Sequence, residues 1–596
     1  MTAVRVLAFD GLIPRKSPSL LGDNFAQTAE NVKLYSGELR YWRGPVLAYT
    51  PPITNARTLH RLYNSAGASV WLLWTGTVDV AVGPVADTTD MRIYFTGNGT
   101  PKKTNYALAT AGAAPYPTTS LEMGVPKPSA APVATLTTAG TGTAETRAYV
   151  FTQVSTFGTV KEEGKPSDPV SITLSPTGAT VTIGTFPAVP AGAYNITHRR
   201  IYRTVVGAVT VSYQFVAEIP VATASYADAL TTAQLGEVLS TAKFDPPPST
   251  LTGLVALPSG ALAGFVGNTV YFSEPYYPHA WPLTYPISLP AGIVGLAVVG
   301  SSVVVMTDTS PFFIHGGVPG EMYVERIALR EPCLSRSTIA TDEDGVIYAS
   351  PNGLVGISPD GRGLLTTNLF TADEWKALTP ATMKSAVLQG RYIGVFPNEI
   401  PARAMILSRG DIPALSFMQL PAAALHVDAT NATLFYVHDT TGMVHQLDAD
   451  ENQPLSYQWT SKRWHLERAA TFGALRMDAA YSQQGDASAY NAQAAAIAAL
   501  NAAAFAGPLD GALNTTPLNT YDINGSALLN QPQLASTRTV QVVITGDGEV
   551  VANLTLTSLD AVRIPPFKAR ELEFSIYGNI NVRSIHMATT MDELKQ

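Results

Sequence analysis

Cysteine is almost absent from this chain: Cys333 stands alone among 596 residues. That excludes an intramolecular disulfide and any multi-cysteine zinc site, so folding needs no oxidising compartment. Charge is scarce as well, with Asp, Glu, Lys and Arg making up 14% of the chain against roughly 25% in an ordinary soluble domain. No run of Lys or Arg exceeds two residues, and the formal net charge is −8. The basic stripe that grips nucleic acid is therefore missing, although an acidic or neutral wall would let a duplex slide past. No stretch of 18 or more residues is apolar without polar interruption, which predicts no membrane-spanning helix and no stable membrane insertion. The opening MTAVRVLAFDGLIPRK has no continuous apolar core and no small-residue cleavage site. It predicts no secretory leader and folding in a cytoplasm. A Gly-x-Ser-x-Gly elbow, a His-Glu-x-x-His pair and a Gly-Lys-Ser/Thr phosphate loop are all lacking, so the expectation is a protein that is not an enzyme and holds no cofactor or metal.

What the chain does have is 47 Gly, 43 Pro and 25 Tyr among 46% hydrophobic residues, a composition of short strands and tight turns. So little charge leaves much of the surface uncharged. Such a surface suits coverage by neighbouring subunits, and equally a Ser/Thr/Ala-rich exterior of secreted type. The length exceeds what one core can serve, so two or more are expected.

Repetition is the strongest signal. From about Gly253 to His465 one pattern recurs: a short alternating strand, a tight turn, a second strand, then a longer connection. Corresponding points lie roughly 40 to 47 residues apart, the period of four-stranded propeller blades. Asp344-Gly345, Asn352-Gly353 and Asp360-Gly361 are hairpin-turn dipeptides, and together they leave no room for a helix. Small sheets of this kind cannot bury both faces alone, so neighbours must stack on them. The expected fold is all-β: a β-propeller of six to eight blades with an inserted immunoglobulin- or fibronectin III-like β-sandwich and a small helical insertion near the C-terminus. The boundaries read as 1–50 for an N-terminal arm or propeller-associated segment, 51–125 for the first blade or blades, and 126–246 for the sandwich. Residues 247–482 read as further blades, 483–535 as a helix and loop insertion, and 536–596 as closing propeller strands. The sandwich is bracketed by Pro126-Lys-Pro and the Pro246-Pro-Pro run, both stiff linkers. The Ala-rich stretch from Ala489 to Ala506 reads as a helix set off by Asp486 and Gly507-Pro508. Early and late strands that share a blade would close the ring, so termini that meet are expected.

Candidate chemistry is thin. His438 and His445 fall on neighbouring predicted strands with His426, Asp428 and Asp439 near by, yet the spacing reads as ordinary strand and loop residues. Asp342, Glu343 and Asp344 are followed at once by a strand, which suits a hairpin turn better than a calcium loop. Glu162-Glu163 and Glu571/Glu573 are carboxylate pairs with no partner that the sequence can place opposite them. Cys333 reads as buried packing. Tyr276, Tyr277, His279, Trp281 and Tyr285 crowd one Pro-rich loop. They are rigid contact groups suited to packing, to a neighbouring subunit or to a sugar. The segment 11–45 carries Arg15, Lys16, Arg40 and Arg43 among apolar residues; it would reach a neighbour as an arm or lie along its own chain. The candidate subunit-contact residues are Arg15, Arg40, Arg43, Tyr276, Tyr277 and Trp281.

Several stretches carry a resemblance. Gly11-Leu-Ile-Pro-Arg-Lys-Ser-Pro-Ser-Leu-Leu is followed by Phe25-Ala-Gln-Thr-Ala-Glu-Asn and Leu34-Tyr-Ser-Gly-Glu-Leu-Arg. This order resembles the opening of phage virion proteins of the tail-nozzle class, the tail tubular protein B family. Tyr271-Phe-Ser-Glu-Pro with Pro278-His-Ala-Trp-Pro is similar to a second stretch of that group. Val150-Phe-Thr, Glu162-Glu-Gly-Lys-Pro-Ser and Arg200-Ile-Tyr-Arg-Thr resemble its inserted sandwich. The resemblance touches about half the chain, and the Ala-rich insertion has no counterpart in it. It implies a structural virion subunit assembled in the host bacterial cytoplasm, six copies of which ring the distal tube of a short tail. Such a tube meets a tail adaptor protein on the portal side, offers docking to tail fibres or spikes, and passes viral double-stranded DNA transiently through its lumen. The alternative from another class is a receptor- or glycan-binding propeller with polysaccharide depolymerase activity; a bacterial surface adhesion module fits poorly without a leader.

Overall fold

The computed structural model describes residues 3–84, 91–205, 212–399, 401–408, 414–481, 494–500, 502 and 540–594. Strands dominate throughout, as expected of an all-β chain. Among the described residues no helix is long and apolar enough to cross a membrane, which leaves strand-crossing barrels unaddressed. The chain divides into two compact units. One comprises Met1–Val46, Ile406–Gln419 and Asp448–Gln596; the other comprises Leu47–Met405 and Leu420–Leu447.

The larger unit is built from small antiparallel sheets that follow one another along the chain. Four of them draw four strands each from consecutive stretches of the chain. The first holds Asp79–Val82, Arg92–Thr96, Lys102–Asn105 and Leu121–Glu122; the second Thr252–Ala256, Leu262–Val266, Thr269–Phe272 and Ile287–Ser288. The third holds Ile293–Val299, Ser302–Thr307, Phe312–His315 and Tyr323–Arg326; the fourth Ala340–Asp342, Gly345–Ser350, Gly353–Ile357 and Arg362–Leu364. Lys384–Leu388 then pairs with Arg391–Phe396. Ala422–Asp428, Thr433–His438 and Val444–Pro454 form a last sheet, to which Arg43–Tyr49 adds a strand from the other end of the sequence. First strands begin at 252, 293, 340, 384 and 422, steps of 41, 47, 44 and 38 residues, close to the expected period.

Why these sheets stack is visible in their burial. An antiparallel sheet with one wet face alternates buried and exposed residues. Here Ser302–Thr307 and Gly345–Ser350 are buried on both faces along nearly their whole length. The alternation reappears as a choice of neighbour. Val303, Val305, Phe312 and Ile314 pack with Phe265, Val270 and Phe272 of the second sheet. Val304, Met306 and Phe313, one step out of phase, pack with Val346, Tyr348, Val355 and Ile357 of the fourth. Turn chemistry fixes the hairpins. Gly345 holds φ +149, and a Cβ there would lie 2.2 Å from the Ile357 carbonyl oxygen; an L side chain has no room.

The region 51–125, read as the first blade or blades, holds two sheets. Thr58–Tyr63 and Ser69–Trp74 form a separate two-stranded hairpin ahead of the first four-stranded sheet. Leu59, Trp71 and Leu73 pack with Ala424, Phe435 and Val437, while Leu62, Leu72 and Trp74 pack with Ile93 and Phe95.

The insertion at 126–246 lies between the first and second four-stranded sheets. Val133–Thr138, Thr180–Gly184 and Ser225–Asp228 form one sheet. Glu145–Phe157 with Val160–Glu163, Val170–Leu174, Ile196–Thr204 and Tyr213–Pro220 forms the other. Tyr149, Phe151, Val181, Ile183, Ile201 and Val216 fill the space between them, which makes the module a two-sheet sandwich. Its first strand pairs with the fifth, not with the second as in an immunoglobulin constant domain.

The C-terminal strands depart from expectation. They lie in the smaller unit, in a sheet ordered Ala3–Val6, Val582–Ala588, Trp464–Ala479, Val562–Gly578, Tyr457–Ser461, Ala26–Glu30 and Leu415–Gln419. Val540–Gly546 pairs with both Val562–Gly578 and Glu549–Leu556. Strands of 16 and 17 residues are far longer than those of the repeating sheets. Their signature is hidden because Pro565-Pro566 reads as a break, whereas the pairing shifts register between Phe472 and Ala474 and so accommodates it. The termini do meet, with Ala3 opposite Ala588. Of the 483–535 insertion, residues 494–500 are helical; nearly all the rest lies outside the described residues.

Candidate functional site

The aromatic loop is held rigidly. The Tyr276 backbone N–H donates to the Gly260 carbonyl at 2.8 Å, that of Glu274 to Ala280 at 2.8 Å and that of Trp281 to Asp245 at 2.7 Å. The Tyr285 hydroxyl donates to Glu274 Oε1 at 2.9 Å. Tyr276 adopts φ +64, a left-handed conformation that a bulky residue keeps only where its surroundings impose it. Outward, Tyr276 and Tyr277 are 58% and 51% exposed, and Leu283 is exposed beside them. Inward, Trp281 is 2% exposed and packs with Tyr94, Leu121, Phe157, Leu251 and Leu254. Trp281 therefore belongs to the core and offers no contact surface; its indole N–H is satisfied by the Pro278 carbonyl at 2.9 Å.

Beneath this loop the sandwich is bolted to the first two repeating sheets. Phe157, at the tip of the Glu145–Phe157 strand, enters the core that holds Trp281. Beside it Lys103, 0% exposed, forms a salt bridge with Glu162 and donates to the Met123 carbonyl at 3.3 Å. Its ammonium also sits 5.3 Å from the centre of the Phe157 ring, a favourable place for a desolvated cation. His279 completes the group, with Nδ1 at 3.8 Å from Glu162 Oε1 and Nε2 at 3.2 Å from the Glu163 carbonyl. Burial drives its pKa down to about 4, against a smaller upward pull from Glu162. At the edge, Lys165 and Asp245 pair at 2.7 Å. Sequence reading did not single out Lys103; the Lys102-Lys103 pair carries no sign of which lysine turns inward.

The N-terminal segment lies along its own unit. Phe9 meets Trp459 edge-on at 4.9 Å, and the Leu12 N–H donates to the Leu415 carbonyl at 2.8 Å. Arg15 and Lys16 are exposed. Arg40 is exposed and pairs with Glu38 at 3.1 Å. Arg43 pairs with Glu451 at 2.8 Å, and its backbone N–H donates to Asp448 at 2.8 Å. Of the six candidate contact residues, Tyr276 and Tyr277 share a loop in the larger unit, Trp281 is buried there, and the three arginines lie in the smaller.

The remaining candidates have structural occupations. Glu163 accepts from Arg200 at 2.8 Å, Tyr202 at 2.8 Å and Thr152 at 2.6 Å. Glu573 is taken by Arg463 and Gln27, and Glu571 lies 3.5 Å from His465. Asp342 accepts from the backbone N–H groups of Asp344 and Gly345 at 3.0 and 3.1 Å, as a hairpin turn requires. The His438 and His445 rings are 6.0 Å apart, and among the described residues no group of three His, Cys, Asp or Glu could hold a metal ion. Cys333 is buried with Ile327, Val346 and Tyr348; burial pushes its thiol up to about 12, so little thiolate exists at neutral pH.

No family model matches the chain, and no curated protein matches it. Among solved structures it is similar to BBS1N in complex with ARL6DN, at 11% identity and a TM-score of 0.23, over 45% of this chain and 86% of that one. It is also similar to the extracellular domain of BT4673 from B. thetaiotaomicron, at 10% identity and a TM-score of 0.25, over 93% of this chain and 78% of that one. Likenesses this distant carry no functional argument.

Proposed function

We propose that the chain is a structural subunit of a bacteriophage virion, its larger unit a seven-bladed propeller, and that a ring of copies forms the distal tube of a short tail. One observation supports the propeller: first strands pack on one another in sequence, and the last in that order belongs to a hairpin that shares a core with the first sheet. Asp79–Val82 packs on Thr252–Ala256, which packs on Ile293–Val299, then Ala340–Asp342, Lys384–Leu388, Ala422–Asp428 and Thr58–Tyr63. The hairpin of that last strand shares an apolar core with Ile93 and Phe95 of the first sheet. Arg336, just before the fourth sheet, forms a salt bridge with Asp79 of the first, a reach natural across the middle of a ring.

The tail assignment rests on the motif resemblance together with this architecture. Stacked sheets buried on both faces make a stiff wall, and a wall of low, net negative charge has little hold on a passing duplex. Carboxylates that a depolymerase would need to face each other across a cleft are occupied here by cations and hydroxyls, which favours the structural reading. The exposed Tyr276, Tyr277 and Leu283 are suited to a neighbouring copy or a docked fibre.

Sedimentation and negative-stain imaging of the purified full chain, alone and with the portal-side adaptor of its phage, test this. The expected result is a ring of about six times the 63.2 kDa monomer mass, formed alone or on the adaptor. A chain that stays monomeric in both conditions overturns it.

A further inference from the structure

We propose that the sandwich module carries a binding site for a carboxylate-bearing saccharide, with Arg199 as its anion-binding group. The strand Ile196–Thr204 turns Arg199, Ile201 and Arg203 inward at every second position. The two arginines meet different fates. Arg203 has its counter-ion: Nη1 lies 2.5 Å from Asp228 Oδ2, Nη2 donates to the Leu230 carbonyl at 2.8 Å, and the Tyr149 hydroxyl also donates to Asp228. Arg199 is 6% exposed, yet among the described residues it has no carboxylate partner. Its hydrogen bonds go to backbone carbonyls, Val221 at 2.6 Å and Pro187 at 3.5 Å, and its Nε–H has no partner among the described residues. A buried cation without a counter-ion is unfavourable, and burial holds this guanidinium below its ordinary pKa. The charge is uncompensated and waits for an anion.

The space for that anion is present. Arg199 lines a cavity of about 480 Å³ with Thr135, Thr182, Thr223, Ser225 and Phe186, in the size range of small-ligand sites. The guanidinium lies over the Phe186 ring at 4.8 Å, which fixes its plane. Thr185, also on the wall, holds φ +50, the kind of local strain found at ligand clamps. The chemistry of the lining selects the ligand class. One cation suits one negative charge, and the hydroxyls suit a partner rich in hydroxyl groups. A phosphate would call for a second basic group or converging backbone N–H donors, and among the described residues the lining holds no second basic side chain. A uronic acid unit of an acidic polysaccharide meets both demands.

Titration calorimetry on the full chain with trigalacturonate, maltotriose and inorganic phosphate tests the site. Trigalacturonate is expected to bind and the other two not. Arg199→Gln is expected to weaken that binding at least about tenfold, the loss of one charge-assisted hydrogen-bonding group. Ala224→Trp, at an exposed position on the rim, is expected to block entry without touching the core, and decides the matter should Arg199→Gln fail to fold. The assignment is overturned by no heat with trigalacturonate at about 10 mM, by equal binding of maltotriose, by phosphate binding in its place, or by unchanged affinity in the folded variants. The site does not depend on the tail reading, and either can fail alone.

Discussion

Lys103→Met is expected to destabilise the larger unit by about 3–5 kcal/mol, the cost of leaving a buried carboxylate without its cation. The substitution keeps the length and apolar stem of the side chain, so packing against Phe157 survives and the charge alone is lost. Glu162 is then stranded at 3% exposure, with only the neutral His279 near it. Lys103→Met combined with Glu162→Leu removes both charges and is expected to recover most of the stability, since an apolar pair of similar volume is often as good as a buried ion pair. Guanidinium denaturation followed by tryptophan fluorescence measures this, with Trp281 as a reporter in the same core. A single variant as stable as the parent would mean that water reaches the pair and that the sandwich is not bolted to the sheets as described.

Acid is expected to weaken the same unit well above the pH at which carboxylates titrate. His279 and His426 are depressed by burial to about 4, and His60 to about 3, from an ordinary value of 6.5. The sign follows from proton counting. Between pH 6.5 and 4 the unfolded chain takes up protons that these folded imidazoles refuse, so stability is complete above the unfolded pKa and drains away as pH falls. For His279 alone the loss reaches about 2 kcal/mol by pH 5. His60 and His426 lie 5.1 Å apart, edge to face, with Asp428 and Arg61 beside them, and after burial the neighbouring His426 is the next cause that lowers His60. Thermal melts from pH 7.5 to 4.5 are expected to show a steep fall in Tm, shallower in His279→Gln, whose amide still donates to the Glu163 carbonyl. Parallel curves for the parent and the variant would contradict the burial of His279 in a dry joint.

The repeating sheets were legible because their instructions are local. Asp344-Gly345 and Asn352-Gly353 announce hairpins, and a run such as Val303-Val-Val-Met is apolar on both faces because each face has its own neighbour. What could not be read depends on partners distant in sequence. Thr58–Trp74 looks like the start of the first sheet, and only its packing on Ala424 and Phe435 makes it a separate element. Val562–Gly578 hides behind two prolines that an irregular register tolerates. At the candidate contact loop, proline spacing revealed the crowding of aromatics but not their direction, so Trp281 was grouped with Tyr276 and Tyr277 although it points inward. Lys103 and Arg199 were missed for a related reason. An inward-facing basic residue looks like any other until its surroundings are known, and one of them has found a carboxylate while the other has not.

Electron cryomicroscopy of the virion to which this chain is proposed to belong tests the central claim most directly. The expected map shows, in each copy, seven sheets around a common axis with the Thr58–Trp74 hairpin wedged between the last and the first, and the copies arranged about the tail axis. A crescent left open beside that hairpin, or a particle whose tail lacks the chain, would contradict it.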